Sequence, residues 1–301
     1  PHERLFNAPI SEAAILSTAV GCAMEGGRAL VELMYGDFIG RAGDEILNQL
    51  AKWQAMSGGT LALPVVLRCS IGSKYGAQHS QDWSALAAHV PGLKIAYPAT
   101  PHDAKGLMAS ALASNDPVIV FESQRLYDRV ETFEAAGVPT DYYRIPLGQP
   151  ATRRTGTDLT ILTIGPSLYP ALEAAGSLET DHGLSAEIID ARGLVPFDYA
   201  PLLASVARTG RLLIVSEACM RGSFAMTLAA TVTRYGFDTR QAAPRVLGTP
   251  NWIVPGADME ARYFPPAGDV VAEALDLAGR PGSEPPPHRS WDPLALAREG
   301  L

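Results

Sequence analysis

The chain of 301 residues has few cysteines, no cluster of basic residues and no long apolar run, and each lack narrows what it can be. Cys22, Cys69 and Cys219 are the only cysteines, far apart in hydrophobic contexts and without metal-ligand spacing. They read as buried free thiols in a reducing compartment, the cytoplasm, and not as a disulfide framework. Acidic residues outnumber basic ones 32 to 24, a formal charge of -8, which argues against nucleic acid or an anionic membrane as partner. The uncharged run Ala13–Met24 falls well short of the ~20 residues that span a bilayer. No Cys/His/Asp cluster is spaced to hold a metal, so no metal ligand is assigned in this chain.

What is present centres on Asn7–Gly27, NAPISEAAILSTAVGCAMEGG. Ser11 is a good N-cap, the run from Ala13 to Met24 is made largely of small residues, and Gly26-Gly27 stops it. The pattern predicts a buried helix with one acid, Glu12, at its start. A first-turn carboxylate complements the helix dipole, worth a few tenths of a kcal/mol to about 1. The small residues imply close helix packing, across a subunit boundary or within the chain, and a carboxylate there needs a partner.

Downstream, apolar runs alternate with helical periodicity. Strands are expected at Ala29–Tyr35, Pro64–Ser70, Leu93–Tyr97 and Pro117–Glu122, with helices at Ile39–Met56, Ala85–His89 and Pro101–Ser114. A glycine-rich loop, Ile71–Gln81, carries His79. These make a first parallel α/β domain over about residues 1–123. Residues 124–157 lose the alternation, gather prolines and read as a connector over the surface. A second α/β unit covers 158–279, with strands at Leu159–Ile164, Ser185–Asp190, Arg211–Ser216 and Arg245–Leu247. Residues 280–301 form a proline-rich tail.

The order PISE, helix, GG, strand, then GAQHSQ, PGLKIAYPATPHDAKGL and DPVIVFES, resembles the β subunit of thiamine diphosphate-dependent 2-oxo acid dehydrogenases. These are the decarboxylating components of the pyruvate, branched-chain and acetoin complexes. The likeness reaches about Gly279 and continues through DLTILTIGPSLYPALEAA and RLLIVSEACMRGSFAMTLAA in the second unit. It implies a pyrimidine-binding domain of the thiamine diphosphate fold, followed by a transketolase C-terminal-like α/β domain. Pro1 is not an initiator, and a family member carries a further strand and helix upstream, so a missing N-terminal segment is expected.

The resemblance also implies roles for residues. Glu12, the acid of PISE, would bond to the aminopyrimidine ring of thiamine diphosphate, with Ile10 lining the same pocket and Met34 and Phe38 forming an apolar slot. His79 of HSQ would face the cofactor's reactive carbon, with Ser80 and Gln81 holding its loop. Outside a family context, a loop histidine is more often a surface residue, and Met34 and Phe38 are as readily core. Nothing here reads GDG, the motif that holds the diphosphate's Mg²⁺, so that ion is expected on a partner α subunit or a fused α-like domain. A second copy of the chain, a lipoyl acyltransferase core and a small 2-oxo acid complete the implied partners. Arg192 and Glu217 read as docking or interface charges, or as a solvated ion pair worth about 0 to 1 kcal/mol. Two rival readings stand beside this one. A transketolase or deoxyxylulose phosphate synthase would keep the diphosphate motif in the same chain, and a non-catalytic subunit would only dock a complex core.

Overall fold

A computed structural model describes residues 2–72 and 75–280. A 3₁₀ turn at His2–Arg4 precedes α1 (Glu12–Met24), β1 (Ala29–Leu33), a 3₁₀ helix at Gly36–Ala42 and a π-helical stretch at Glu45–Leu50 that runs into α2 (Ala51–Met56). Then come β2 (Val65–Ile71), α3 (Ser84–Ala88), β3 (Lys94–Ala96), α4 (Pro101–Ala113) and β4 (Val118–Ser123). The remainder holds β5 (Ala151–Arg154), β6 (Leu159–Thr163), α5 (Leu168–His182), β7 (Ala186–Asp190), β8 (Gly193–Val195), α6 (Tyr199–Thr209), β9 (Leu212–Cys219), α7 (Phe224–Tyr235), β10 (Arg245–Thr249) and α8 (Ala267–Leu277). The proline-rich stretch expected from 280 lies, Arg280 apart, outside the described residues.

Two five-stranded sheets result, ordered β1-β2-β4-β3-β8 and β10-β9-β6-β7-β5. All pairings are parallel except the two edges, β8 on β3 and β5 on β7. Both antiparallel edges depart from the sequence expectation. Residues Ala151–Arg154 were expected in a surface connector and instead pair with β7, and β8 comes from the second unit yet joins the first unit's sheet. Strands of three or four residues are too short for a period of two to show in sequence.

Parallel strands covered on both faces are apolar at successive positions, and here successive residues feed different cores. Along β2, Val65, Leu67 and Cys69 join one cluster, while Val66 faces the α4 side with Val118 and Val120. The first cluster continues without a break into Leu162, Ile164 and Ile189 of the second sheet and Leu202, Leu228 and Val232 of its helices. The two units therefore share one apolar core.

Two helical expectations are corrected. Helix α1 is not buried all round: Leu16, Ala19, Val20 and Ala23 face the core at a helical i, i+3, i+4, i+7 spacing, while Ala14, Ser17, Thr18, Gly21 and Cys22 are exposed. Small residues on both faces hid that periodicity. Cys22 is thus an exposed thiol, Cys219 is half-buried, and only Cys69 is the buried thiol expected. The expected helix Ile39–Met56 is divided, since Gly36, Gly40 and Gly43 favour tight or irregular turns over a regular start.

Charges also join the units. Asp103, fully buried in the first turn of α4, accepts bonds from Arg192 Nε at 3.0 Å and Nη2 at 2.7 Å, and from Arg153. Arg153 also reaches Asp190 at 2.9 Å and stacks over Phe133. Glu217, whose side chain is 5% exposed, pairs with Arg125 at 3.1 Å. Arg192 and Glu217 thus sit in the joint between the units and do not form a solvated pair with each other.

Candidate active site

In open α/β sheets, ligands meet the chain beyond the carboxyl ends of the strands. After β1 comes Met34–Phe38, and after β2 comes the loop with His79. Helix α1 packs on β1 and is joined to it by the short turn Glu25–Arg28, so it runs back along the strand. Its first residue, Glu12, is therefore placed at the same edge of the sheet.

Local sequence sets up each part. Gly72 leaves β2 at φ +102°, a conformation that side-chain-bearing residues avoid, and a Cβ there would lie 2.7 Å from Ser123 Oγ. Gly76, at φ +65°, turns the chain again. Ser80 Oγ then accepts a bond from the Tyr75 N–H at 3.2 Å, which closes the loop around His79 as expected of that serine. Gln81 is exposed.

The His79 ring stacks on Tyr35, with centroids 4.5 Å apart and planes at 22°, and meets Phe38 at 5.3 Å. Tyr75 completes the aromatic wall, 5.0 Å from Tyr35. Phe38 therefore contacts His79 directly. Met34 is 55% exposed and Ile10 is 97% exposed, so both offer apolar surface that this chain leaves uncovered. Glu12 is part-exposed and makes no hydrogen bond or ion pair with a described residue. No polar contact joins Glu12 to the His79 cluster among the described residues.

Beneath this edge lie acids that the sequence did not single out. Burial raises the pKa of Asp37, while the Trp83 indole and the His79 imidazole pull it down. Burial likewise raises Asp82, although the Ser84 N–H at 2.8 Å and the Tyr97 hydroxyl at 3.3 Å favour its charge. Between them the Cys69 thiol is held well above its ordinary value, first by burial and then by Asp82, Asp37 and Glu122. Arg68 forks onto Glu122 with two 2.8 Å bonds and reaches Glu32 at 3.6 Å, so Glu32 is the structural acid expected. Asp37 and Asp82 stand next to motif residues, in YGDF and HSQD. For Asp37, an acid set in the apolar run MYGDFIG is the signal that could have found it.

Other polar side chains of the first unit are engaged elsewhere. His102 stacks on Tyr143 at 4.7 Å. Asn115 accepts from Arg28, and Lys94 and Gln54 hold Asp116. Among the described residues, no group of three or more His, Cys, Asp or Glu could hold a metal ion.

The transketolase pyrimidine-binding domain family matches residues 1–129, and the transketolase C-terminal domain family matches residues 148–270. At 39% identity over 281 residues, 92% of this chain and 80% of the relative, the chain is similar to the acetoin:2,6-dichlorophenolindophenol oxidoreductase subunit beta of Bacillus subtilis (strain 168). The chain belongs to the β-subunit family of thiamine diphosphate-dependent 2-oxo acid dehydrogenases. From the same organism, the 2-oxoisovalerate dehydrogenase subunit beta is 36% identical over 91% of this chain and 83% of its own length. The pyruvate dehydrogenase E1 component subunit beta is 34% identical over 90% and 83%. A solved structure described as a split gene transketolase, inactive beta4 tetramer, covers 93% of this chain and 86% of its own, with TM-score 0.77 and 24% identity, a likeness of fold. As a β-family chain it is a component of a thiamine diphosphate-dependent enzyme and works with an α partner.

The exposed residues fit the pyrimidine half of that cofactor. An aminopyrimidine needs one carboxyl group to share a proton with its ring nitrogen, and apolar surface against its faces. Among the described residues, Glu12 is an acid without a partner, Ile10 and Met34 are uncovered, and the buried Nδ1 of His79 lacks a hydrogen bond.

Proposed function

We propose that this chain supplies the pyrimidine half of a thiamine diphosphate site for the oxidative decarboxylation of a small 2-oxo acid, with the acyl group passed to a lipoyl arm. The observation that carries this reading is a carboxylate without a partner among the described residues, Glu12, at the sheet edge where the His79 ring cluster also stands. When bound, the cofactor supplies a nucleophilic carbon that attacks the 2-oxo carbon and stabilises the charge left by loss of carbon dioxide. Glu12 would hold the aminopyrimidine by sharing a proton with its ring nitrogen, which favours the imino form, while Ile10, Met34 and Phe38 would orient the ring and exclude water from it. His79 serves as the acid or base beside the reacting carbon. In this reading the domains are 1–123 and 158–279.

The diphosphate and its Mg²⁺ fall to the α partner, or to a fused α-like domain, because this chain has no GDG motif. A second copy of the chain and a lipoyl acyltransferase core complete a cytoplasmic complex. Co-expression with the α partner tests the reading. Decarboxylation is followed with thiamine diphosphate, Mg²⁺ and an artificial electron acceptor, over pyruvate, branched-chain 2-oxo acids, 2-oxoglutarate and acetoin. Turnover of one substrate that is lost in Glu12→Ala is the expected result, and wild-type turnover in that variant would defeat the mechanism. Acetoin cleavage is the second reading, favoured by the similarity to a β subunit named for acetoin.

A further inference from the structure

Three buried polar atoms without hydrogen bonds occur around one loop: His79 Nδ1, Asp37 Oδ2 and Trp83 Nε1. A buried polar atom left unmade costs about 1 to 3 kcal/mol, and three such costs in one place call for a common cause. Asp37 lies between Tyr35, which stacks on His79, and Phe38, which meets the ring at an angle. The Trp83 indole and the His79 imidazole both stabilise the Asp37 carboxylate, so both lie within electrostatic reach of Asp37. The indole N–H faces the carboxyl without reaching hydrogen-bond geometry.

We propose that Asp37 is the positioning residue of His79: its half-buried carboxylate, through the buried Oδ2, accepts a hydrogen bond from Nδ1–H of the imidazole, with the Trp83 N–H as the second donor to the same carboxylate. The proposal rests on the reading of His79 as the acid or base of the site. An imidazole whose Nδ1 proton is taken by a carboxylate keeps its lone pair on Nε2, and the second nitrogen's partner thus sets which atom can do chemistry. Ring stacking on Tyr35 leaves the imidazole free to turn in its own plane, so the aromatic wall alone cannot choose the tautomer. Hydrogen bonds of this kind are commonly long before a site fills and shorten when it does. Around the pair, the titratable groups are Tyr35 and Tyr75 in the wall, Cys69 on β2, Asp82 after the loop, and Glu122 paired with Arg68. Helix α1, packed on the 36–42 turn, brings Glu12 at its start. Of these, Asp37 alone combines an unbonded buried oxygen with electrostatic contact to His79.

Nuclear magnetic resonance of the full chain, labelled with ¹⁵N-histidine and assigned by loss of one signal in His79→Gln, tests this. In the wild type, neutral His79 is expected as the Nδ1–H tautomer; the Nε2–H tautomer would overturn the proposal without need of a further variant. In Asp37→Asn the titration midpoint of His79 is expected to fall by roughly half a pH unit or more, because a carboxylate neighbour favours the imidazolium. An unchanged midpoint in a folded variant would also overturn it. In the assembled enzyme, the limb of the kcat/KM pH profile that reports His79 is expected to move with the resonance midpoint. If the resonance moves and the pH profile does not, Asp37 still positions His79 and it is the catalytic reading of His79 that falls. If His79→Gln abolishes turnover while Asp37→Asn moves neither quantity, the proposed function stands and the role of Asp37 falls.

Discussion

Glu217→Gln is expected to stabilise the protein in mild alkali while doing little in mild acid. The Glu217 carboxyl lies in the joint between the two units, one oxygen on Arg125 and the other buried without a hydrogen bond. It lines a cavity of about 260 Å³ with Ser80, Asp82, Cys219, Asn251 and Trp252. Burial, opposed by Arg125 and reinforced by Asp82 and Glu260, raises its pKa from 4.5 to about 7. A raised acid keeps its proton in the folded chain over a pH range where the unfolded chain has lost it. Stability therefore falls as pH rises from about 4.5 through about 7, and stays lower above that. At about 1.36 kcal/mol for each pH unit between the two values, the full loss is about 3 kcal/mol, of which about 2 falls between pH 5.5 and pH 8. Glutamine has the same shape and no charge to bury, so the variant lacks this dependence. For a chain of this length, 2 kcal/mol corresponds to roughly 3 °C in Tm. Calorimetric melts of wild type and variant at both pH values isolate the effect, because the other raised carboxyls, Asp37, Asp82 and Asp190, are common to both. Parallel Tm curves across that range would refute the reasoning.

Asp103→Ala leaves the two arginines of the joint without their shared carboxylate and is expected to cost about 3 to 5 kcal/mol, read from denaturant unfolding. Loss of less than about 1 kcal/mol would show that Asp190 and solvent suffice for both. Gly72→Ala forces a side chain into a positive-φ position against Ser123 and is expected to destabilise by more than about 1 kcal/mol, with the His79 loop displaced. Equal melting of this variant and wild type would place the φ of Gly72 within reach of alanine. Glu12→Ala is expected to lower turnover of the assembled enzyme about 100-fold or more, while the unfolding free energy falls only by the helix-dipole share of about 1 kcal/mol or less. A large loss of stability there would mark Glu12 as a structural residue instead.

Much of the architecture was legible before any coordinates. The parallel strands announce themselves because each is apolar on both faces, and a run such as VVLRCSI needs no tertiary information to be read as buried strand. A cap position and a glycine stop placed α1, although the Ser11 side chain makes no cap bond, and in α4 Thr100 accepts the Asp103 N–H while Pro101 opens the helix. Glu12, His79, Met34 and Phe38 could be singled out because they sit in short motifs whose order along the chain carries a family resemblance. The antiparallel edges β5 and β8 could not be read, since their strand character comes from pairing with β7 and β3, residues far away in sequence. Nor could the exposed face of α1, because alanine, serine and glycine look alike on a core face and on an open one.

The identity of the two sheets, the motif residues and the absence of a GDG motif were thus determined by local sequence, where a residue's own chemistry and its near neighbours decide. Only the tertiary structure decided what surrounds them. Trp83 and His79 come to Asp37 from other elements, Glu217 on β9 loses solvent because the first unit closes over it, and Asp103 meets Arg192 across 89 positions of chain. Burial and electrostatic coupling are properties of what is near in space, and the linear order of residues does not carry them.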